Sequence, residues 1–179
     1  MQGASTQIVA LLAIAFVVIV ALVDLRTCRI PNVLCGIAAL VGLIAQLVAN
    51  GAAGILVSVG GLAVALVMFL PFYAVRAFGA GDVKAMAAAG VYLGAKWTLL
   101  AGGITLAAGA VLGALVLFLS ASTARTALHR LVDVAASPLV FAKGTIDPIT
   151  AKGRQRFPYG VAIAVGVTAA TLSSGLLIH

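Results

Sequence analysis

From Gln7 to Val23 the chain carries no charged residue, and comparable uncharged apolar runs recur at about 33–48, 55–75, 98–119 and 159–178. Apolar stretches of ~18 residues or more are long enough to cross the ~30 Å hydrocarbon core of a bilayer as helices. A shorter run at about 83–95 brings the count to six. Only 8% of the residues are charged and 64% are hydrophobic, whereas a soluble domain carries roughly 25% charged residues. Lipid is therefore the solvent for most of the chain. The expected fold class is all-α, a polytopic membrane protein with about six transmembrane helices. A single membrane domain over 1–179 leaves no room for a soluble domain, which needs at least ~50 residues.

The polar stretches between the runs set the topology. Arg26, Arg29, Arg76 and Lys84 follow the first and third runs, and the basic residues Arg125, Arg130, Lys143, Lys152, Arg154 and Arg156 lie in the polar loop 120–157. Lys96 stands alone on the other side. By the positive-inside rule these three loops are cytoplasmic and both termini are outside. The net charge of +7 is then a matter of orientation against anionic lipid, with membrane lipid and not nucleic acid as the partner. No Lys or Arg precedes the first run, so that run reads as a retained span and not as a cleaved signal peptide. Gly94-Ala95-Lys96-Trp97 reads as a turn with Trp97 at the interface, and 124–134 as a helix on the membrane surface. Cys28 and Cys35 fit no zinc spacing and read as unpaired, largely apolar residues.

Only four acidic residues occur, Asp24, Asp82, Asp133 and Asp147. Asp133 and Asp147 fall in the polar loop and read as solvated. Asp24 ends the first run and Asp82 opens the fourth, so the topology sets both at the cytoplasmic edge. Acids at membrane depth are costly and mark functional sites. Two carboxyls in one confined site hold one proton between them. The ionised member then takes a proton from water while the protonated member hydrogen-bonds a scissile carbonyl. Structural readings stand beside this one: Asp82 as a helix N-cap, and Asp24 as a polar stop paired with Arg26 or Arg29. From Asp82 to Trp97 a helix covers only ~24 Å at 1.5 Å per residue, so either the fourth span starts below the headgroups or the bilayer thins there; a recessed start would hold Asp82 in a partly wet cavity. Helix dipoles favour an anion at Asp82 and disfavour one at Asp24 by ~0.3–1 kcal/mol each, which assigns the shared proton mostly to Asp24.

Gly79-Ala80-Gly81-Asp82 at the mouth of a span lets the backbone bend and a substrate strand approach closely. Gly79-Ala80-Gly81-Asp82-Val83-Lys84 resembles the GxGD signature of prepilin peptidases and their relatives. The stretch from Asp24 to Ile30-Pro31-Asn32 is similar to that family's first-aspartate motif, and Pro158-Tyr159-Gly160 to its motif at the last span. The resemblance implies that Asp24 and Asp82 are a catalytic dyad. It implies an intramembrane aspartyl endopeptidase, in the inner membrane of a bacterium, that removes the leader of type IV pilin-like precursors at the cytoplasmic face. Gly79, Gly81, Lys84, Pro31, Asn32, Pro158, Tyr159 and Gly160 would be supporting residues. No insert with paired CxxC motifs is present, so the chain is similar to the short forms of tight-adherence (Flp-type) pilus systems, and N-methyltransferase activity is not expected.

No cofactor is implied, and two acids without a nearby His make a poor dedicated metal site. Neither His129 nor His179 belongs to a serine or cysteine triad motif. Lys84 and Arg26 stand two residues from the aspartates, a helical spacing that points them elsewhere, and they read as snorkelling toward phospholipid. The competing function is a proton- or cation-coupled transporter using the two aspartates. Transporters, however, usually hold their site near the midplane between matching halves, and no repeat is visible. A structural subunit with capping aspartates is the third reading.

Overall fold

The computed structural model describes residues 2–27, 29–74, 78–119 and 159–174, and every regular element among them is an α-helix. These are α1 (Gln2–Thr27), α2 (Asn32–Asn50), α3 (Ala52–Ala74), α4 (Ala80–Leu119) and α5 (Gly160–Ser173). Four of them, α1 to α4, are long and apolar enough to cross a membrane, and α5 is a shorter apolar helix. The chain divides into two units, one of Met1–Gly109 with Phe157–His179 and one of Ala110–Arg156. Of the second, the described part is the end of α4. The expected surface helix 124–134, the loop 120–157 with its acids and bases, Cys28, Arg76, Pro158 and His179 lie outside the described residues.

Helix α4 is broken at Gly94, whose φ of 74° and ψ of 173° are not helical. A positive φ of this size suits glycine, which lacks the Cβ that would clash. In a straight helix, residues eight apart are ~12 Å from each other along the axis. Here the Thr98 hydroxyl donates to the Gly90 carbonyl at 3.4 Å, so the arms on either side of Gly94 fold back on each other. The turn expected at Gly94–Trp97 is thus concentrated in one residue. With that hairpin the five helices present six rods, and the all-α, polytopic expectation holds. Gln46 of α2 reaches the break: its side-chain amide donates to the Tyr92 carbonyl at 2.7 Å, deep in the bundle.

The bundle is packed in the manner of lipid-embedded helices, with small residues inside and large apolar ones outside. Ala13, Ala65, Ala85, Ala89, Ala101, Ala162 and Ala170 have no exposed surface, whereas Leu11, Val33, Leu40, Val48, Leu56 and Val67 lie on the outer face. In lipid the outward Leu and Val carry no penalty. Backbones meet directly where α3 crosses the first arm of α4, and a Cβ at Gly90 would stand 2.5 Å from the Gly61 carbonyl oxygen. Helix α1 packs along α5 and α2, and α2 along α3.

The first helix does not stop at Asp24. It continues through Leu25, Arg26 and Thr27, because Leu and Arg are good helix formers and the Thr27 hydroxyl closes the end. That hydroxyl donates to the Val23 carbonyl (2.9 Å) and accepts the Arg29 N–H (3.3 Å). Asp24 therefore sits inside the last turn and is buried, 4% exposed. Pro31 precedes α2 and is not its first residue: its φ and ψ of −64° and 132° are extended, and its carbonyl accepts the Leu34 N–H at 3.1 Å.

Candidate active site

Asp24 is buried in α1, and its Oδ2 accepts the backbone N–H of Gly160 at 2.7 Å. Gly160 is the first residue of α5, whose leading N–H groups have no partner within the helix. The pairing expected of Asp24 with Arg26 or Arg29 is absent among the described residues. A main-chain donor at a positive helix end takes that place, and the two arginines are exposed. A Cβ at position 160 would come within 2.9 Å of the Asp24 Cβ and 3.1 Å of its Oδ2, so this approach requires glycine.

Asp82 is the third residue of α4 and half-buried. Its Oδ2 accepts the N–H of Gly79 at 3.0 Å. An acid at the third position reaching back to the residue before the helix is the acidic half of a capping box, so Asp82 caps α4 from within and is not its N-cap residue. Neither aspartate takes a hydrogen bond on Oδ1 from a described residue. Among the described residues each carboxyl is thus held at one oxygen only.

Three chain segments far apart in sequence meet here. The Phe78 ring, directly before Gly79, stands 4.5 Å centroid to centroid from the Tyr159 ring, directly before Gly160, edge-on at 63°. Gly81 lies against Ile30 of the link between α1 and α2, with 3.2 Å between a Cβ built on Gly81 and the Ile30 Cβ. Gly81 is therefore already helical and serves close packing, and it is not part of a bend before α4. The Lys84 ammonium donates to the Asn32 side-chain oxygen at 3.0 Å. This corrects the reading of Lys84 as snorkelling to lipid: a polar acceptor on α2 lies within its reach. Pro31 and Asn32 are exposed beside it. Asp24 lies near enough to Asp82, and Asp82 to Tyr159 and Cys35, for these groups to interact electrostatically. Cys35 is a buried free thiol.

Each aspartate's own helix dipole assigned the shared proton to Asp24. Asp24 also faces the positive end of α5 through Gly160, so both carboxyls stand at helix N-termini and the asymmetry is offset. Sequence reasoning missed Phe78 altogether. Its only signal was an aromatic residue directly before the glycine pair, matched by Tyr159 directly before Gly160. No group of three or more His, Cys, Asp or Glu side chains able to hold a metal occurs among the described residues.

No curated protein and no solved structure matches the chain. The signature of the type IV leader peptidase family does, over residues 11–120. That stretch runs from within α1 to the end of α4 and holds both aspartates, the link through Pro31 and the glycines before Asp82. Residues 11–120 are more than half of the sequence, and the chain accordingly belongs to the type IV leader peptidase family and is a peptidase of that general kind.

Proposed function

We propose that the chain is an intramembrane aspartyl endopeptidase in which Asp24 and Asp82 are the catalytic dyad. The observation that carries this reading is the meeting of the two aspartates' segments. Asp24 is tied to Gly160, Gly160 adjoins Tyr159, Tyr159 contacts Phe78, and Phe78 adjoins the Gly79 that holds Asp82. The Oδ1 atoms, which accept no hydrogen bond from a described residue, support a division of labour. One carboxylate accepts a proton from the attacking water, and the other, carrying the shared proton, donates to the scissile carbonyl oxygen. Collapse of the tetrahedral intermediate returns a proton to the leaving amine.

The substrate in this reading is a type IV pilin-like precursor, whose apolar helix approaches between the spans. Its leader junction would be extended near the glycines before Asp82. The distribution of Lys and Arg favours a cytoplasmic site in an inner membrane, with both termini outside and a cytoplasmic loop at 120–157. Pro31, Asn32, Lys84, Gly79, Gly81, Pro158, Tyr159 and Gly160 would support the dyad. The test is incubation of the purified protein with a pilin-like precursor, beside Asp24→Asn and Asp82→Asn. Both variants should remain folded and lose cleavage; retained cleavage in either one refutes the dyad. Loss of ion flux, with cleavage absent throughout, would mark a carrier instead.

A further inference from the structure

Both carboxyls are held by main-chain N–H groups, and each donor directly follows one ring of an aromatic pair. We infer that Phe78 and Tyr159 are positioning residues: their edge contact fixes the Gly79 and Gly160 N–H groups relative to each other, and through them sets the separation of Asp24 and Asp82. This rests on the dyad reading above and adds to it the element that sets the dyad's spacing.

The geometry is specific. Phe78 is buried, and its ring is anchored on α3 by Phe69 at 5.5 Å and Phe72 at 5.4 Å between centroids. Its N–H also donates to the Phe72 carbonyl at 3.4 Å. Phe78 is thus fixed to the scaffold before it meets Tyr159. Tyr159 sits at the end of α5, and the carbonyl of the same residue accepts the Ile163 N–H at 3.2 Å, so its ring moves with the first turn of that helix. The Gly160 N–H belongs to that turn. A displacement of the Tyr159 ring therefore displaces the donor to Asp24, while Phe78 and the donor to Asp82 stay with α3. Asp24 and Asp82 are on different helices, α1 and α4, and no side chain of either touches the other helix through a described hydrogen bond. The aromatic contact is a direct described route between the residues that precede their two donors. An error of about 1 Å in the placement of reacting groups costs on the order of 100-fold in rate, which is the leverage such a pair exerts.

The experiment uses the full chain in detergent or vesicles, with kcat and KM for a pilin-like precursor and infrared titration of the two carboxyls assigned by Asp24→Asn and Asp82→Asn. The other titratable groups facing the pair are Tyr159, Lys84 and Cys35 among the described residues. Phe78→Leu and Tyr159→Leu should each lower kcat about 10-fold or more with KM near its original value, and shift the carboxyl titration. The double variant should be little worse than the poorer single one, because both remove the same contact. Tyr159→Phe and Phe78→Tyr keep a ring edge in place and should restore both readouts. Phe16→Leu, which breaks the remote ring pair with Tyr92, should leave both unchanged. Leucine variants with lower melting temperature but unaltered kcat and carboxyl titration would overturn the inference, as would fully additive losses. If the original protein cleaves no precursor, the dyad reading fails, and the infrared arm still decides whether the ring pair couples the carboxyls.

Discussion

Adding a single methyl group at Gly160 tests the geometry most directly. A Cβ there would stand 2.9 Å from the Asp24 Cβ, 3.1 Å from Oδ2 and 3.2 Å from the Val20 carbonyl oxygen. Carbon atoms in contact settle at ~3.5–4.0 Å, so in Gly160→Ala the start of α5 must retreat from α1 by roughly half an ångström or more. The Gly160 N–H to Asp24 bond, now 2.7 Å, would then stretch to the edge of the ~2.7–3.2 Å range in which N–H···O bonds are strong. Hydrogen bonds to charged groups contribute ~1.5–3 kcal/mol, and each 1.36 kcal/mol lost from the transition state is about tenfold in rate. Gly160→Ala should therefore lower kcat for precursor cleavage about 10- to 100-fold. Cleavage of a labelled precursor by purified protein in vesicles measures this, with thermal unfolding followed in parallel. Gly36→Ala is the control: nothing lies within 4 Å of a Cβ at that position, and alanine favours helix by ~0.5–1 kcal/mol over glycine. Wild-type kcat in Gly160→Ala, at unchanged stability, would show that the contact between α5 and Asp24 does not govern the site.

Gly61→Ala should destabilise the bundle by ~1–3 kcal/mol, because its Cβ would meet the Gly90 carbonyl; a lower melting temperature with unchanged kcat per folded molecule checks this. Lys84→Met and Asn32→Ala each remove the same side-chain bond between α2 and α4, and a double-mutant cycle on stability should return a coupling of ~0.5–1 kcal/mol; strict additivity would contradict the bond. The rate of cleavage should fall on both sides of a pH optimum. Acid protonates the carboxylate that must accept from water, and alkali removes the shared proton that must reach the carbonyl; a rate that only rises with pH would argue against a one-proton pair.

Much of the architecture was open to reading because lipid imposes a simple rule, that long uncharged runs become helices. Gly94 was readable as a turn because glycine beside lysine and tryptophan interrupts such a run. The end of α1 was not, since a buried aspartate looks in sequence like a polar stop, and only the Thr27 hydroxyl reveals that the helix continues. Asp24 and Asp82 stood out through the scarcity of acids. Their immediate partners did not, because the donors are backbone groups of Gly160 and Gly79, and every residue carries such a group. Asn32 and Lys84 are separated by half a hundred residues of chain, and nothing in their spacing foretells the bond between them. Phe78 was lost among the many apolar residues, where one more aromatic carries no signal.

Main-chain ligation of both acids has a practical consequence for anyone mapping this enzyme. On the dyad reading, a conventional alanine scan would find the two carboxyls essential and report the groups that grip them only as an intolerance of bulk at positions 79 and 160. The amide hydrogens themselves survive every coded replacement except proline. Exchanging those two amides for esters by semisynthesis or nonsense suppression would delete each donor while leaving shape intact, and would reveal a contribution that genetics cannot see.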